Sequence, residues 1–412
     1  MTPVDNLPFP ERVAELRRRR GLSQRELGAA LRRSESWVSQ VERGVQPVER
    51  FAVLQALSDA LGVPVGTLRP EASAVLQPQA LPVERPTQLD SLRLVLAGHP
   101  ALRALFPNGE EPPPVEMDSL PEQVAQVWEL AHTSRFDALA EQLATLLPQL
   151  EYAVRRAKGP GRRPLSRLLA IAYQAAAAGF AQVDDPEAAW VAADRSIRAG
   201  EDSGQPLQVI AGMFRMAHAF LRLQRLELAE HVASSAAGAL ADRVSDPDCP
   251  PQELSLFGAA HLVLAVIAAR DNKRAQARKH INIARTIARR VGGDRNDFNT
   301  EFGPTNVEIH AVSIAADLGD AGEALEAAMG LDVSGLSAER QAHFHLDLAR
   351  AHAQRRHLGE ATAALLAAER LSPEQIHAHA SARETIHDLL SLSGRRPTQD
   401  LQELAQRCGA MP

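Results

Sequence analysis

Apolar residues recur along this chain at intervals of three and four, the spacing of helices that bury one face. Val13 and Leu16 point one face of an opening helix, Phe9–Arg20, inward. Leu22 and Leu27 flank the start of a second helix that runs to about Leu31. Val38 and Val41 give a third helix its buried face, and Phe51, Leu54, Leu57 and Leu61 do the same near Glu49–Leu61. Gly62 then stops the chain before a last short turn, Val63–Leu68. Residues Arg69–Thr87, with prolines at 70, 78, 82 and 86, have no period and read as a linker. One isolated helix is expected at about Leu89–Phe106, apolar at Leu92, Leu96, Leu102 and Leu105, with Pro100 breaking or kinking it. Its stripe must be covered by the body or by the same helix of a second subunit. The following PNGEEPPPVEMD is an acidic linker, or else a polyproline ligand.

From Ser119 the helical period never lapses. Helix pairs are predicted near 119–157, 164–200, 205–241, 251–291, 304–329, 337–371 and 373–408. Restarts are clearest at Asp185-Pro-Glu-Ala-Ala, Gly319-Asp-Ala-Gly-Glu-Ala and Leu358-Gly-Glu-Ala. Such pairs cannot bury their apolar faces singly and must stack into a superhelix with a concave inner surface. The fold class is therefore all-α, with three expected parts: a small head (1–69), a linker carrying one helix (70–118) and a repeat body (119–412).

The head carries the chemistry. Ser23 and Glu26 form a capping box that opens the second helix, Ser34 caps the third, and Gly44 closes it. Opposite Val38 and Val41 stand Glu35, Ser36, Ser39 and Gln40. Two short helices joined in this way suit a DNA major groove, where the first residues of the second helix reach base edges. Leu-Ser-Gln-x-Glu-Leu from Leu22, then Ser-x-Ser-x-Val-Ser-x-Val-Glu-Arg-Gly from Ser34, resembles the lambda-repressor/XRE family of helix-turn-helix regulators, over roughly Arg12 to Leu68. The resemblance implies a five-helix DNA-binding domain. It places Glu35, Ser36 and Gln40 at base-reading positions and Gln24 and Arg43 at phosphates, with Arg25, Arg33, Ser34, Trp37 and Ser39 beside them. Arg32 stands where the turn usually has Gly, and Arg33 where a small apolar residue is common; both can alter the turn or add phosphate contacts. Trp37 either lies on the sugar-phosphate wall or closes the domain core. The Arg17–Arg20 run is equally open between phosphate contact and a solvated helix end.

The body resembles degenerate tetratricopeptide repeats over most of Ser119 to Cys408. A head and body of these two kinds together resemble the RRNPP group of peptide-sensing bacterial regulators. That likeness implies a homodimer on an operator, quorum sensing through a signalling peptide or small molecule in the concave surface, and a change in the spacing of the two heads. Half-sites lie about 34 Å apart or a multiple of that, so small changes in curvature move a head out of register. Aligning the acid-Ala steps predicts that Tyr173, Phe214, His218, Arg222, Arg270, Asn306, Ser313, Asp317, His343, Arg350 and Gln354 face the concavity. Amide, guanidinium and aromatic groups suit an extended peptide, although ordinary inter-repeat packing accounts for each residue singly. The alternative is a DNA-binding regulator whose body is a protein-docking scaffold with no diffusible effector.

Composition sharpens this picture in a few places. The 45% apolar and 23% charged content is that of a globular protein, and the 4% of aromatics favours helices packed through small residues. Net charge is −6, yet residues 1–69 hold eleven arginines against eight acids, leaving a +3 head on a −9 remainder, as a DNA contact at one end requires. Cys249 and Cys408 are far apart and imply a reduced, cytoplasmic setting. No signal segment is apparent, and no run is expected to reach the length of a membrane span. No cofactor and no metal are expected. His343-x-His345 and His377-x-His379 point to different helix faces, no His-Glu-x-x-His occurs, and a local hydrogen bond accounts for His343 beside Asp347. The loop Arg155–Arg163 lacks the Lys-Ser/Thr of a phosphate loop and reads as solvated. Without paired carboxylates, a nucleophile elbow or a cofactor fingerprint, an enzyme is not expected.

Overall fold

A computed structural model describes residues 7–31, 33, 35–44, 48, 51–68, 87–98, 117–394 and 397–411, and among these no strand occurs. The head is built from α1 (Phe9–Arg19), α2 (Gln24–Ala30), α3 (Glu35–Glu42), α4 (Phe51–Leu61) and α5 (Val65–Leu68). Ser23 caps α2 as its neighbours dictate. Its hydroxyl accepts from the Glu26 amide at 3.1 Å, and the Glu26 carboxylate accepts from the Ser23 amide at 2.7 Å. Val13, Leu16, Leu27, Val38, Val41, Leu54, Leu57, Leu61 and Leu68 close one core. Buried Arg12 ties the ends of the domain, donating to the Leu68 carbonyl at 2.8 Å and the Leu7 carbonyl at 2.6 Å.

The isolated helix is α6 (Thr87–Ala97), shorter than the expected 89–106; it ends three residues before Pro100, and residues 99–116 lie outside the described ones. Leu92 and Leu96 are buried against the body, while Leu102 and Leu105, the rest of the expected stripe, lie outside the described residues.

The body's pairs are α7 (Leu120–His132) with α8 (Phe136–Arg156), α9 (Arg162–Gln182) with α10 (Pro186–Ser203), and α11 (Pro206–Arg222) with α12 (Leu226–Val244). They continue as α13 (Pro251–Arg270) with α14 (Arg274–Val291), α15 (Pro304–Asp317) with α16 (Ala321–Ala328), and α17 (Ala338–Gln354) with α18 (Leu358–Leu371). Pro opens α10, α11, α13 and α15, where its missing N–H would be unpaired in any case. Each pair turns through one left-handed residue: Ser134, Asp184, Gln224, Asn272, Gly319 and Arg356. The next amide then bonds back five residues, as from Arg135 to the Leu130 carbonyl and from Lys273 to the Ala268 carbonyl, which is the Schellman closure. Only one of the six is Gly, so the repeat is stronger in backbone than in sequence. The predicted last pair, 373–408, is instead three helices, α19 (Pro373–Ala378), α20 (Ala380–Ser393) and α21 (Gln399–Arg407), because the backbone leaves the helix at His379 and α20 ends at Gly394 with a positive φ.

From α7 to α15, consecutive first helices pack directly on one another, while second helices pack chiefly on the first helices before and after them. The first-helix layer is therefore the shorter, inner side of the stack. Alanine dominates these contacts, and Gly258 makes room for the fully buried Phe302, whose ring would lie 2.0 Å from a Cβ at 258. Helix α13 is long and apolar enough to cross a bilayer by length and composition, contrary to the expectation that no run is; most of it is buried, and it serves as a core helix. By compactness the chain forms two units. One is 84–347 with 367–379, and the other gathers 1–83 with 348–366 and 380–412, since α20 packs against α4 of the head.

Candidate nucleic-acid interface and effector face

Helix α3 is held by its buried half. Val38 and Val41 are each 1% exposed, and Glu42, on the same side, takes three donors. Arg17 Nε and Nη2 reach its two oxygens at 2.5 and 2.9 Å, and Gln24 Nε2 donates at 2.7 Å. Burial alone would raise the Glu42 carboxyl, but the bonds from Arg17 and Gln24 and the charges of Arg17 and Arg18 hold it below its ordinary value. Glu42 thus locks α1, α2 and α3 together, a role that sequence reasoning missed. The cue was present: an acid at the last position of the helix, beside the buried Val38 and Val41, in a head that carries the Arg17–Arg20 run.

The other side of α3 is open. Glu35 and Arg43 are exposed, and Ser39 and Gln40 are partly exposed. Ser34 lies outside the described residues, as does the side chain of Ser36. Arg25 is exposed on α2. The Gln24 carboxamide donor is taken up by Glu42, so a phosphate contact from this position falls to the backbone amide or needs that bond released. Trp37 packs against the head core with the Arg33 guanidinium 5.6 Å from its ring centroid, which favours the core-closing role. Of the Arg17–Arg20 run only Arg17 is drawn inward; Arg18 and Arg19 are exposed and pair with Glu15, and the exposed Arg20 donates to the Leu61 carbonyl. Gly44 takes a φ of 73° at the end of α3, as its position requires.

The predicted effector residues separate into two groups. Tyr173 is buried at 2% exposed, and its hydroxyl meets Glu151 of α8 and Arg195 of α10, both on second helices, so it does not face the inner layer. Asn306 is 1% exposed and donates to the Glu301 carbonyl, holding a loop in place. For Tyr173 the acid-Ala alignment placed the residue on the wrong side of its helix, whereas Asn306 shares a face with His310 but is buried beneath the loop it holds. Phe214 is buried with its ring edge-on to His218. Ser313 and His343 are partly exposed, and His343 meets the ring of His379. Arg350 and Gln354 fall in the unit that holds the head. His218, Arg222, Arg270 and Asp317 share the inner layer. There Arg222 stands 3.8 Å from Asp184, and Arg270 stands 3.9 Å from Asp317 while donating to the Leu221 carbonyl.

Sequence reasoning overlooked the centre of this face. Arg215, His218 and Arg222 stand at i, i+3 and i+7, one side of α11, a spacing that would have found Arg215. Its guanidinium lies 4.9 Å from the Trp128 centroid and 5.1 Å from that of Phe214, and donates to the Asn299 carbonyl at 2.5 Å. The loop supplying that carbonyl is wound tightly, with Phe298, Asn299 and Glu301 all left-handed. The buried Glu301 carboxylate accepts from the Ser337 amide and hydroxyl and lies 3.8 Å from Arg340. Arg215, His218, Arg222 and His310 are partly exposed, with protein packed around each of them. Burial accordingly lowers Arg215 to about 10 and His310 to about 3, and burial with the nearby arginines keeps His218 well below the usual histidine range. Among the described residues no three His, Cys, Asp or Glu converge on a metal position. Cys249 and Cys408 are buried and unbridged, and burial pushes the Cys249 thiol up, away from a reactive thiolate.

No curated protein matches this chain. Among solved structures it is similar to Bacillus thuringiensis PlcR in complex with the peptide PapR7 and DNA, at 14% identity over 68% of this chain and 93% of that one. The TM-score is 0.25, too loose a superposition to carry ligand or partner across. Residues 10–72 match the helix-turn-helix domain family, and the chain therefore carries a helix-turn-helix domain over that stretch.

Proposed function

We propose that this chain is a sequence-specific transcription regulator of the RRNPP type, cytoplasmic, which binds an operator as a homodimer and whose first-helix face senses a signalling peptide or small molecule. The observation that carries the reading is the division of α3: one half is locked by valines and the Arg17–Glu42–Gln24 cluster, and the other presents Glu35, Ser39, Gln40 and Arg43. A recognition helix needs that combination, because base readout depends on a rigid helix with free polar side chains at its start. In this reading Glu35, Ser36, Ser39 and Gln40 meet base edges. Arg25, Arg33 and Arg43, with the α2 N-terminus at Gln24, meet phosphates. Selection of bound fragments from random DNA by the purified full-length protein tests it. A two-fold repeat with half-sites one or two helical turns apart supports a homodimer on an operator, and recovery of unrelated sequences overturns the reading.

A second reading makes the body a protein-docking scaffold. It is favoured by apolar side chains open on the second helices, Trp190 at 44% and Leu228 at 49% exposed, with the Trp190 ring against Phe220. Unfolding of the protein with whole cell extract and with its ultrafiltrate separates the two. A midpoint raised by the ultrafiltrate supports a diffusible effector, and one raised only by the retained fraction supports a scaffold.

A further inference from the structure

Several nitrogen donors on the inner face lack the acceptor that such groups normally have. Among the described residues Arg340 Nε is buried with no hydrogen-bond partner, and the Glu301 carboxylate is 3.8 Å away. His132 Nε2 is likewise buried and unpartnered, with its ring against Trp128. Arg215, stacked on that same Trp128, bonds only backbone carbonyls of the 298–299 loop. The ion pairs of Arg222 and Arg270 lie at 3.8 and 3.9 Å, whereas a pair between second helices, Arg278 of α14 with Glu323 of α16 at 2.8 Å, is tight. A buried donor without an acceptor is a rare and costly state, and its usual explanation is a missing partner. These groups also act on one another: Arg215 and Glu301 reach His132 electrostatically, and Arg215 and Arg340 reach His218.

We propose that the side-chain cluster of Trp128, His132, Arg215, His218, His310 and Arg340 binds an oxyanion, a carboxylate or a phosphate group of the effector. The anion would accept from Arg340 Nε and from the remaining Arg215 donors. Neutral His132 and His218 would complete its shell, and Trp128 would form an apolar wall. This rests on the sensor reading given above and narrows it, since the effector must carry at least one negative group deep enough to reach between α11 and α17. A free peptide carboxyl terminus, an acidic side chain and a phosphorylated metabolite all meet that demand, whereas a purely apolar or cationic ligand does not.

The test uses full-length protein with citrate and with inorganic phosphate as probes, each against sodium chloride of matched ionic strength, and the variants Arg340→Gln and Arg215→Gln. Arg340→Gln keeps a side chain that can still donate toward Glu301, and the unfolding midpoint without probe checks that each variant folds. The expected result is that one probe raises the unfolding midpoint of the unsubstituted protein by roughly 2–4 °C at about tenfold excess over its Kd, and that both variants abolish the rise. Citrate alone acting identifies a carboxylate site, and phosphate alone a phosphate site. Equal midpoints with and without probe, or equal shifts in the variants, overturn the proposal. Operator affinity in the same samples tests the sensor reading separately: a specific shift with unchanged DNA binding keeps the anion site and removes the sensing role. Loss of the shift while an uncharged effector still releases DNA removes the anion site and keeps the sensor.

Discussion

The head and the inner face of the body treat their charged groups in opposite ways. In the head, Arg17 and Gln24 close on Glu42 at 2.5 to 2.9 Å, so the polar groups that fix α3 are satisfied among themselves, while Glu35, Ser39, Gln40 and Arg43 keep exposure to solvent. In the body, Arg222, Arg270 and Arg340 stand 3.8 to 3.9 Å from their carboxylates, and the partly exposed His218 and His310 are held neutral by the protein around them. A surface that reads a rigid duplex gains from being set in advance. A surface that must respond to a ligand keeps donors without firm partners, and its geometry is settled when the ligand arrives.

The largest expected effect concerns protons. His218, His261 and His310 are held neutral by burial, with His261 near 4 and His310 near 3, whereas the unfolded chain protonates them near 6.5. A folded-state pKa held down in this way gives stability that is complete above the unfolded value and is lost as pH falls below it. The body should therefore lose roughly 1 kcal/mol per histidine between pH 7.5 and 5.5. The head has the same sign but a lower window. Glu42 lies below its ordinary 4.5, so its contribution persists at pH 5.5 and fails only under stronger acid. Hydrogen exchange across this range should show the body opening first, and simultaneous opening would break the contrast.

Next in size, Glu42→Ala leaves Arg17 largely buried without its partner and should cost the head about 3 kcal/mol. Arg222→Ala, which removes a loose pair, should cost the body under about 1 kcal/mol. Urea unfolding followed by probes in the two regions checks both values, and equal costs would mean that the two kinds of pair do not differ. Smaller again, Gly258→Ala drives a methyl into the Phe302 ring and should cost about 2 kcal/mol, seen as a lowered midpoint of the body with operator affinity per folded molecule unchanged.

The same contrast explains what was legible in the sequence. The head could be read because its cues are local: Ser23 with Glu26, Val38 with Val41, and Gly44 each act within one turn of helix. Helix pairs were equally visible, since apolar spacing and Pro at helix starts are local too. The inner face was not. It is assembled from α7, α11, α15 and α17 and the loop at 297–301, and an alignment off by one residue turns a side chain by about 100°. That error put Tyr173 on the inner face and left out Arg215, one position beyond Phe214. The backbone repeat at Ser134, Asp184, Gln224, Asn272, Gly319 and Arg356 was hidden for another reason: its conformation is shared, but its residue types are not.

The central claim, that the open half of α3 reads base pairs, is tested most directly by measuring affinity of Gln40→Ala and Arg43→Ala for selected and for random DNA across a salt series. Gln40→Ala should lose about 1–3 kcal/mol on selected DNA at one base step and nothing on random DNA. Arg43→Ala should weaken both alike and reduce the salt slope by about one. Equal losses on both DNAs for both variants would contradict base reading by this helix.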